Sequence, residues 1–360
     1  MIIKSNIRDY IVEMNDDFSF LDNLLKKENA IYVIDKKVYG LYKKLFNGIL
    51  EHKLILIDAT EENKNIDTAL MICEKITELS AKRNTTLISI GGGIIQDITG
   101  FVANITYRGI HWFFIPTTLL AACDSCIGGK TSLNYKKFKN LLGTFYPPEH
   151  IFICPKFFDT LSDKDYKSGL GEVVKFNLMK GEEGLTNISD NLHYLLLRKH
   201  DVINRFVKES LRYKKAFIEI DEFDNGERIK LNFAHTFGHS IEVVTKYAIP
   251  HGTAVAIGMV MANYVSYKRG FISLDALKKM EKNLLEIIDI DYKLLDSPID
   301  NYLSAIRKDK KQINNQLTAV LIQKYGNKAE LTIVHNLQEK EVAESIVYFN
   351  NLYREKNNEN

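Results

Sequence analysis

Short apolar runs alternate with stretches of helical periodicity through the first half of the chain. Residues 30–35 (AIYVID), 54–58 (LILID), 86–90 (TLISI), 113–115 (FFI) and 151–154 (IFIC) are apolar at consecutive positions. Such runs predict strands covered on both faces, and the helical pattern over 65–82 between two of them predicts a mostly parallel sheet. From residue 168 the pattern changes. Helical spacing dominates over 192–205, 208–220, 234–245, 253–268 and 276–288, with almost no strand-like alternation. Two β-like runs, 318–322 and 329–334, then follow a basic loop, and helical spacing returns over 339–356. The pattern predicts an α/β domain over 1–165 followed by a mainly α-helical domain over 166–360, the boundary falling within 155–170.

Composition narrows the class. The 360 residues suit two domains, and 45% hydrophobic with 26% charged residues is ordinary for a protein with a full core. A net charge of +2 gives no footprint for nucleic acid. No apolar run is long enough to span a bilayer, and the first 18 residues lack the pattern of a signal peptide. Four cysteines, at 73, 123, 126 and 154, make no disulfide framework at this size, so a reducing cytoplasm is expected. Cys123 and Cys126 have CxxC spacing but no second ligand pair, and they read as buried thiols.

Two glycine-bearing turns carry candidate chemistry. Gly91-Gly92-Gly93 follows a strand and opens a helix, where N–H groups can meet a pyrophosphate. It is not the GxGxxG fingerprint. Asp35, Glu61, Lys64, Thr117 and Thr118 also sit at or just beyond strand ends, where open α/β sheets bind ligands. The second turn, Gly128-Gly129-Lys130-Thr131, is followed by Lys136, Lys137, Lys139 and Asn140. It offers the compact cations and N–H donors that a phosphate needs.

In the second half, His235-Thr-Phe-Gly-His239 places two histidines on one helical face, without the glutamate of HExxH. Glu172 lies upstream and His251 downstream. Three nitrogen and oxygen ligands with open positions suit a catalytic zinc or a similar ion. Lys175, Lys214, Arg228 and Asn232 lie near these residues in sequence and suit a strongly anionic ligand. His52, His111, His150, His193, His200 and His335 read as ordinary core or surface residues.

Taken together, these motifs resemble the dehydroquinate synthase family of sugar-phosphate cyclases. The resemblance runs from Asp35 to Ile322 and is densest over 91–143, 169–175 and 228–258. It implies a Rossmann-like NAD-binding domain, a helical metal- and substrate-binding domain, and an active site between them. It implies metal ligation by Glu172, His235 and His251, usually to zinc, with cobalt as the other candidate. Asp35, Glu61, Lys64, Gly91, Gly92, Gly93, Asp97, Thr117, Thr118, Lys130 and Lys139 match NAD contacts. Asp97, Lys130, Lys139, Asn140, Lys175, Lys214, Arg228, Asn232 and His239 match substrate and catalytic positions. Lys310 or Lys311 matches a late substrate lysine. Arg108 matches an arginine that reaches the neighbouring subunit's phosphate, which implies a homodimer.

The chemistry implied is oxidation of a ring hydroxyl by NAD, β-elimination of phosphate, return of the hydride and closure of a carbocycle. Lys130, Asn140 and His239 would hold phosphate, and Lys214 with Arg228 a carboxylate. A phosphorylated sugar acid, 3-deoxy-arabino-heptulosonate 7-phosphate, is therefore the expected substrate and the shikimate route the expected setting. A paralogue acting on sedoheptulose 7-phosphate or an amino analogue is one alternative. A metal-dependent polyol dehydrogenase of the glycerol dehydrogenase type is another. Gln96 stands where the family usually has glycine, Thr253 where it has glutamate, and Cys123 and Cys126 where it has other residues.

Overall fold

The computed structural model describes residues 1–136, 138–308 and 316–358. The chain divides into two compact units. Unit 1 is Met1–Leu161 with Ile203–Phe223, and unit 2 is Ser162–Val202 with Asp224–Asn360. A single cut at residue 165 does not contain this re-entry.

The strands of unit 1 are β1 (Ile2–Ile3), β2 (Tyr10–Met14), β3 (Ala30–Asp35), β4 (Leu54–Ile57), β5 (Thr86–Gly91), β6 (His111–Pro116), β7 (Lys130–Tyr135), β8 (Phe138–Phe145) and β9 (His150–Ile153). Seven form one sheet in the order β1-β2-β9-β6-β5-β3-β4. Every neighbouring pair is parallel except β1 with β2. Helices α1 (Leu21–Leu25), α2 (Lys36–Leu41), α3 (Ile66–Glu78) and α4 (Gly93–Ile105) lie between strands. Val33, Ile34, Leu87, Ile88, Ile90, Phe114 and Ile115 have no exposed surface. Each such side chain contributes about 1.5–3 kcal/mol of burial free energy. Register aligns Asp35 with Ile57 and Gly91 with Pro116, so the C-terminal ends of β3 to β6 finish level. The hairpin of β7 and β8 forms a separate two-stranded sheet.

Unit 2 is helical. It holds α5 (Asp163–Leu178), α6 (Glu182–Leu196), the start of α7 (His200–Ile220), α8 (His235–Val244), α9 (His251–Lys268), α10 (Leu274–Ile287), α11 (Ile299–Arg307) and α12 (Glu339–Asn358). An antiparallel pair, β10 (Leu317–Tyr325) and β11 (Ala329–Leu337), completes it. The continuous helix expected over 192–205 is broken. Arg198 takes a left-handed φ of +56°, and the Lys199 N–H closes on the Tyr194 carbonyl at 3.1 Å. No glycine marks this stop. Instead the Arg198 guanidinium lies 4.5 Å from the Tyr166 ring centroid and pairs with Asp163. Helix α9 is the centre of the unit, buried on every face from Gly252 to Ala262. Among the described residues no helix is long and apolar enough to cross a membrane.

Candidate functional site

The metal-ligand candidates are brought together by glycines. A Cβ on Gly171 of α5 would lie 2.1 Å from the Gly252 carbonyl oxygen, and one on Gly252 only 1.8 Å from that of Ser168. The two backbones touch because neither residue has a side chain. The Gly252 N–H donates to Ser168 Oγ at 3.0 Å. Glu172 follows the first glycine and His251 precedes the second, so this crossing sets them side by side. A Cβ on Gly258 would likewise meet the Ala234 carbonyl oxygen at 2.5 Å. That contact lays the first turn of α8, with His235, on α9.

One ligand atom each from Glu172, His235 and His251 lies within 4.8 Å of the others. Glu172 Oε1 is 3.4 Å from His251 Nε2 and 3.7 Å from His235 Nε2. His235 Nδ1 lies 3.0 Å from the Phe233 carbonyl, which can only accept, so Nδ1 carries the proton and Nε2 the lone pair. His251 Nδ1 is paired with Glu242 Oε2 at 3.1 Å. Both imidazoles thus have the arrangement of metal ligands, with the far nitrogen held by an oxygen acceptor. Glu172 is fully buried, and neither of its oxygens accepts a well-formed hydrogen bond from the described residues. Among the described residues, only the buried Lys175 ammonium closes on Oε2 as an ion pair. A buried carboxylate so placed wants a cation. Burial pushes the His251 imidazole down, but the Glu242 and Glu172 carboxylates outweigh it and push it up to about 10. The donor set therefore fits a divalent metal.

Glu242 was not singled out by sequence. Its signal is its spacing of three from His239, and with His239 and His251 it makes a second group of close ligand atoms. Arg228 and Asn232 begin and end the main part of a short 3₁₀ helix, Glu227–Asn232, and Arg228 is buried. The chain does not run helically from Asn232 into His235. Ala234 takes a left-handed φ of +69° and α8 starts after it.

In unit 1 the Gly91–Gly93 turn is a close-approach site. A Cβ on Gly91 would sit 2.6 Å from Ile95 Cγ1, and one on Gly92 3.0 Å from Thr118 Cγ2. Gly93 has no such neighbour, since Ser125 Oγ would be 3.7 Å away. Gly92 caps α4 without a side-chain hydrogen bond, which leaves the helix N-terminus to a ligand. The Thr117 N–H donates to the Gly91 carbonyl at 2.9 Å, while its buried hydroxyl has no hydrogen-bond partner among the described residues. Asp35 caps α2 through the Lys37 N–H at 2.9 Å, and burial raises its carboxyl. An orphaned hydroxyl and an open helix end beside a backbone without side chains fit a dinucleotide pyrophosphate.

The basic loop is a β-hairpin, which the sequence did not predict. It docks the expected residues together. Lys64 Nζ is 2.5 Å from Asp97 Oδ2 and donates to Asn140 Oδ1 at 2.6 Å. Ser132 Oγ lies 2.9 Å from both of those oxygens. Asn134, on β7, donates to Glu61 Oε2 at 2.9 Å and accepts from the Asn140 N–H at 2.9 Å. Lys139 pairs with Glu61 Oε1 at 3.2 Å. Burial raises the Asp97 carboxyl against the opposing pull of Lys64. Ser132 and Asn134 are additions to the sequence reading, their signal being alternate polar residues on the half-exposed face of a strand, opposite the buried Thr131 and Leu133. Lys130 is exposed and follows Gly128 and Gly129, with φ of +103° and +66°.

Lys214 is buried and already holds a carboxylate. Its ammonium is 2.7 Å from Asp124 Oδ1 and donates to the Asp124 carbonyl at 2.6 Å. Asp124, between the two CxxC cysteines, was also passed over by sequence. Those cysteines are buried thiols, and burial pushes Cys126 up to about 12. Arg108 is exposed on a turn where Tyr107, Arg108 and Gly109 have φ of +52°, +67° and +121°. Lys310 and Lys311 lie outside the described residues.

Comparison with known proteins agrees along the chain. Residues 54–168 match the family model "3-dehydroquinate synthase N-terminal" and 169–312 the model "3-dehydroquinate synthase C-terminal". The 3-dehydroquinate synthase of Dictyoglomus thermophilum is 36% identical over 331 residues, covering 91% of each chain. That of Clostridium tetani is 39% identical over 341 residues, covering 91% of this chain and 89% of its own. Among solved structures, the 2-epi-5-epi-valiolone synthase of Streptomyces hygroscopicus, with NAD+ and Zn2+ bound, superposes with a TM-score of 0.83. It is 23% identical and the match covers 94% of this chain and 96% of that one.

Proposed function

The chain belongs to the 3-dehydroquinate synthase family, and we propose that it eliminates phosphate from 3-deoxy-arabino-heptulosonate 7-phosphate and closes the carbocycle. The observation that carries this reading is the buried Glu172 carboxylate with two imidazole Nε2 atoms beside it. Glu172, His235 and His251 would hold the metal, zinc or cobalt. The Gly91–Gly93 turn, Asp35, Thr117, Thr118 and the Glu61–Lys64–Asp97–Lys139 group would hold NAD. When bound, the metal supplies Lewis-acid polarisation and NAD a reversible hydride acceptor.

The side chains of the protein do the rest. Lys175, whose buried ammonium faces Glu172, would donate a hydrogen bond to a hydroxyl of the substrate and stabilise the negative charge that develops on its oxygen. Lys130, Asn140 and His239 would hold the phosphate, and Asn232 and Lys310 or Lys311 other groups of the substrate. Lys214 and Arg228 clamp the substrate carboxylate, which sedoheptulose 7-phosphate lacks. The presence of both cations in the chain argues for the acid substrate. Arg108 is assigned to the phosphate of a neighbouring subunit, which makes the working form a homodimer.

The test is phosphate release against net NADH formation, with protein, zinc and NAD, on the heptulosonate phosphate, its amino analogue and sedoheptulose 7-phosphate. Phosphate release without net NADH, greatest with the heptulosonate, is expected. Net NADH without phosphate would establish a polyol dehydrogenase instead.

A further inference from the structure

The first turn of α4 carries a side chain that the proposed chemistry does not use. Gln96 is 3% exposed, and both ends of its amide are engaged by one residue. Its Nε2 donates to the Ser125 carbonyl at 2.7 Å, and Ser125 Oγ donates to its Oε1 at 2.7 Å. Ser125 ends Ala121–Ser125, a single π turn, a form with poor intrinsic stability that persists where something fixes it. The preceding residue is Asp124. Its carboxylate and its carbonyl take two of the three N–H donors of Lys214. The chain of contacts is therefore Gln96, Ser125, Asp124, Lys214, and all four residues lie in unit 1.

We propose that Gln96 is a positioning residue for Lys214. Its amide fixes the turn that bears Asp124, and Asp124 fixes the ammonium so that its remaining N–H serves the substrate carboxylate. The inference rests on the reading of Lys214 as a carboxylate clamp. A lysine has four rotatable side-chain bonds, and an ammonium held at two points loses little further freedom when a third acceptor arrives. Gln96 also sits four residues after Gly92, whose carbonyl accepts the Gln96 N–H at 3.1 Å. The same helical turn therefore carries both the proposed pyrophosphate site and the anchor of the carboxylate clamp.

Gln96→Met tests this, because it keeps the length of the side chain and removes both hydrogen bonds. KM for the heptulosonate phosphate should rise about tenfold, while kcat and the Kd of NAD stay within about threefold. In a Lys214→Ala background the same change should add nothing further. Additive effects, or equal losses of substrate and NAD binding, would overturn the proposal. A second readout needs no turnover. In protein labelled with 15N-lysine, the Lys214 ammonium protons, assigned by their loss in Lys214→Ala, should exchange with water at least about tenfold faster in Gln96→Met. Unchanged exchange also overturns the proposal. If the native protein released no phosphate from any substrate, the cyclase reading would fall and the ammonium exchange would decide the role of Gln96 alone. Should Gln96→Met not fold, Ser125→Ala removes one of the two bonds and is read the same way.

Discussion

Replacing Gly171 by alanine should empty the metal centre without removing a ligand. The added Cβ would lie 2.1 Å from the Gly252 carbonyl oxygen, where ordinary contact begins at 3.4 Å. The backbone of α5 must therefore move by the difference, roughly 1.3 Å, because the obstacle is main chain and cannot rotate away. Glu172 is the next residue and moves with it, away from His251. Metal–ligand distances tolerate about 0.2 Å, so a shift this large removes one ligand from the set. Overpacking of this kind also costs about 1–3 kcal/mol of stability. The assay is metal content by elemental analysis after dialysis, with thermal unfolding in parallel. At least a tenfold loss of affinity is expected, with the fold retained. Gly40→Ala is the control, because its Cβ would meet nothing within 4 Å. Native metal content and affinity in Gly171→Ala would refute the claim that the glycine crossing builds the site.

Glu242→Gln keeps the shape of the residue that holds His251 but weakens its acceptor; metal affinity measured by chelator competition should fall about 10- to 100-fold, and no change would exclude that role. In the metal-free protein His251 is raised to about 10, whereas a ligating imidazole must be neutral. Metal uptake near pH 8 should therefore release a proton, seen as a buffer-dependent heat in titration calorimetry; equal heats in buffers of different ionisation enthalpy contradict it. The same raised group stabilises the metal-free fold fully below pH 6.5, and that contribution should decline as pH rises to about 10. Flat metal-free stability across that window would count against the shift. Arg228→Ala should raise KM for the acid substrate by about tenfold or more and leave NAD binding near native; equal loss of both would remove Arg228 from the carboxylate clamp.

Legibility in the sequence followed physical cause. Strands β3, β5, β6 and β9 are buried on both faces, so consecutive apolar residues announce them, while the edge strand β4 reads the same way although Leu56 is exposed. The hairpin of β7 and β8 is polar, and its Lys130, Ser132, Asn134 and Lys139 read as loop. Its strands exist because their backbones pair and because Asn134, Asn140 and Lys139 dock on Glu61 and Lys64. Those are long-range contacts that local pattern cannot carry. The three candidate metal ligands, whose ligand atoms the structure brings within 4.8 Å of one another, were legible because His, His and Glu are chemically rare in an apolar helical context. Glu242 and Asp124 were not, because a carboxylate beside a histidine or a lysine is an ordinary sight until distance makes it specific. Nor did the break at Arg198 show, since it uses a cation over a ring where glycine would have been the visible sign.

Helix α7 passes from one unit to the other without a break. Its first residues count with unit 2, and Ile203–Phe223, with Lys214, counts with unit 1. The chain therefore crosses between the units three times, at 161, 202 and 223. No contiguous piece of the gene encodes unit 1. A fragment ending at residue 161 lacks Phe206, Leu211 and Ile218, which are buried in the whole chain, and the lysine that Asp124 holds. Such a fragment should expose apolar surface and aggregate. In shuffling between relatives, the two stretches that make unit 1 have to be inherited together, so recombination within residues 162–202 separates parts that only work as a set.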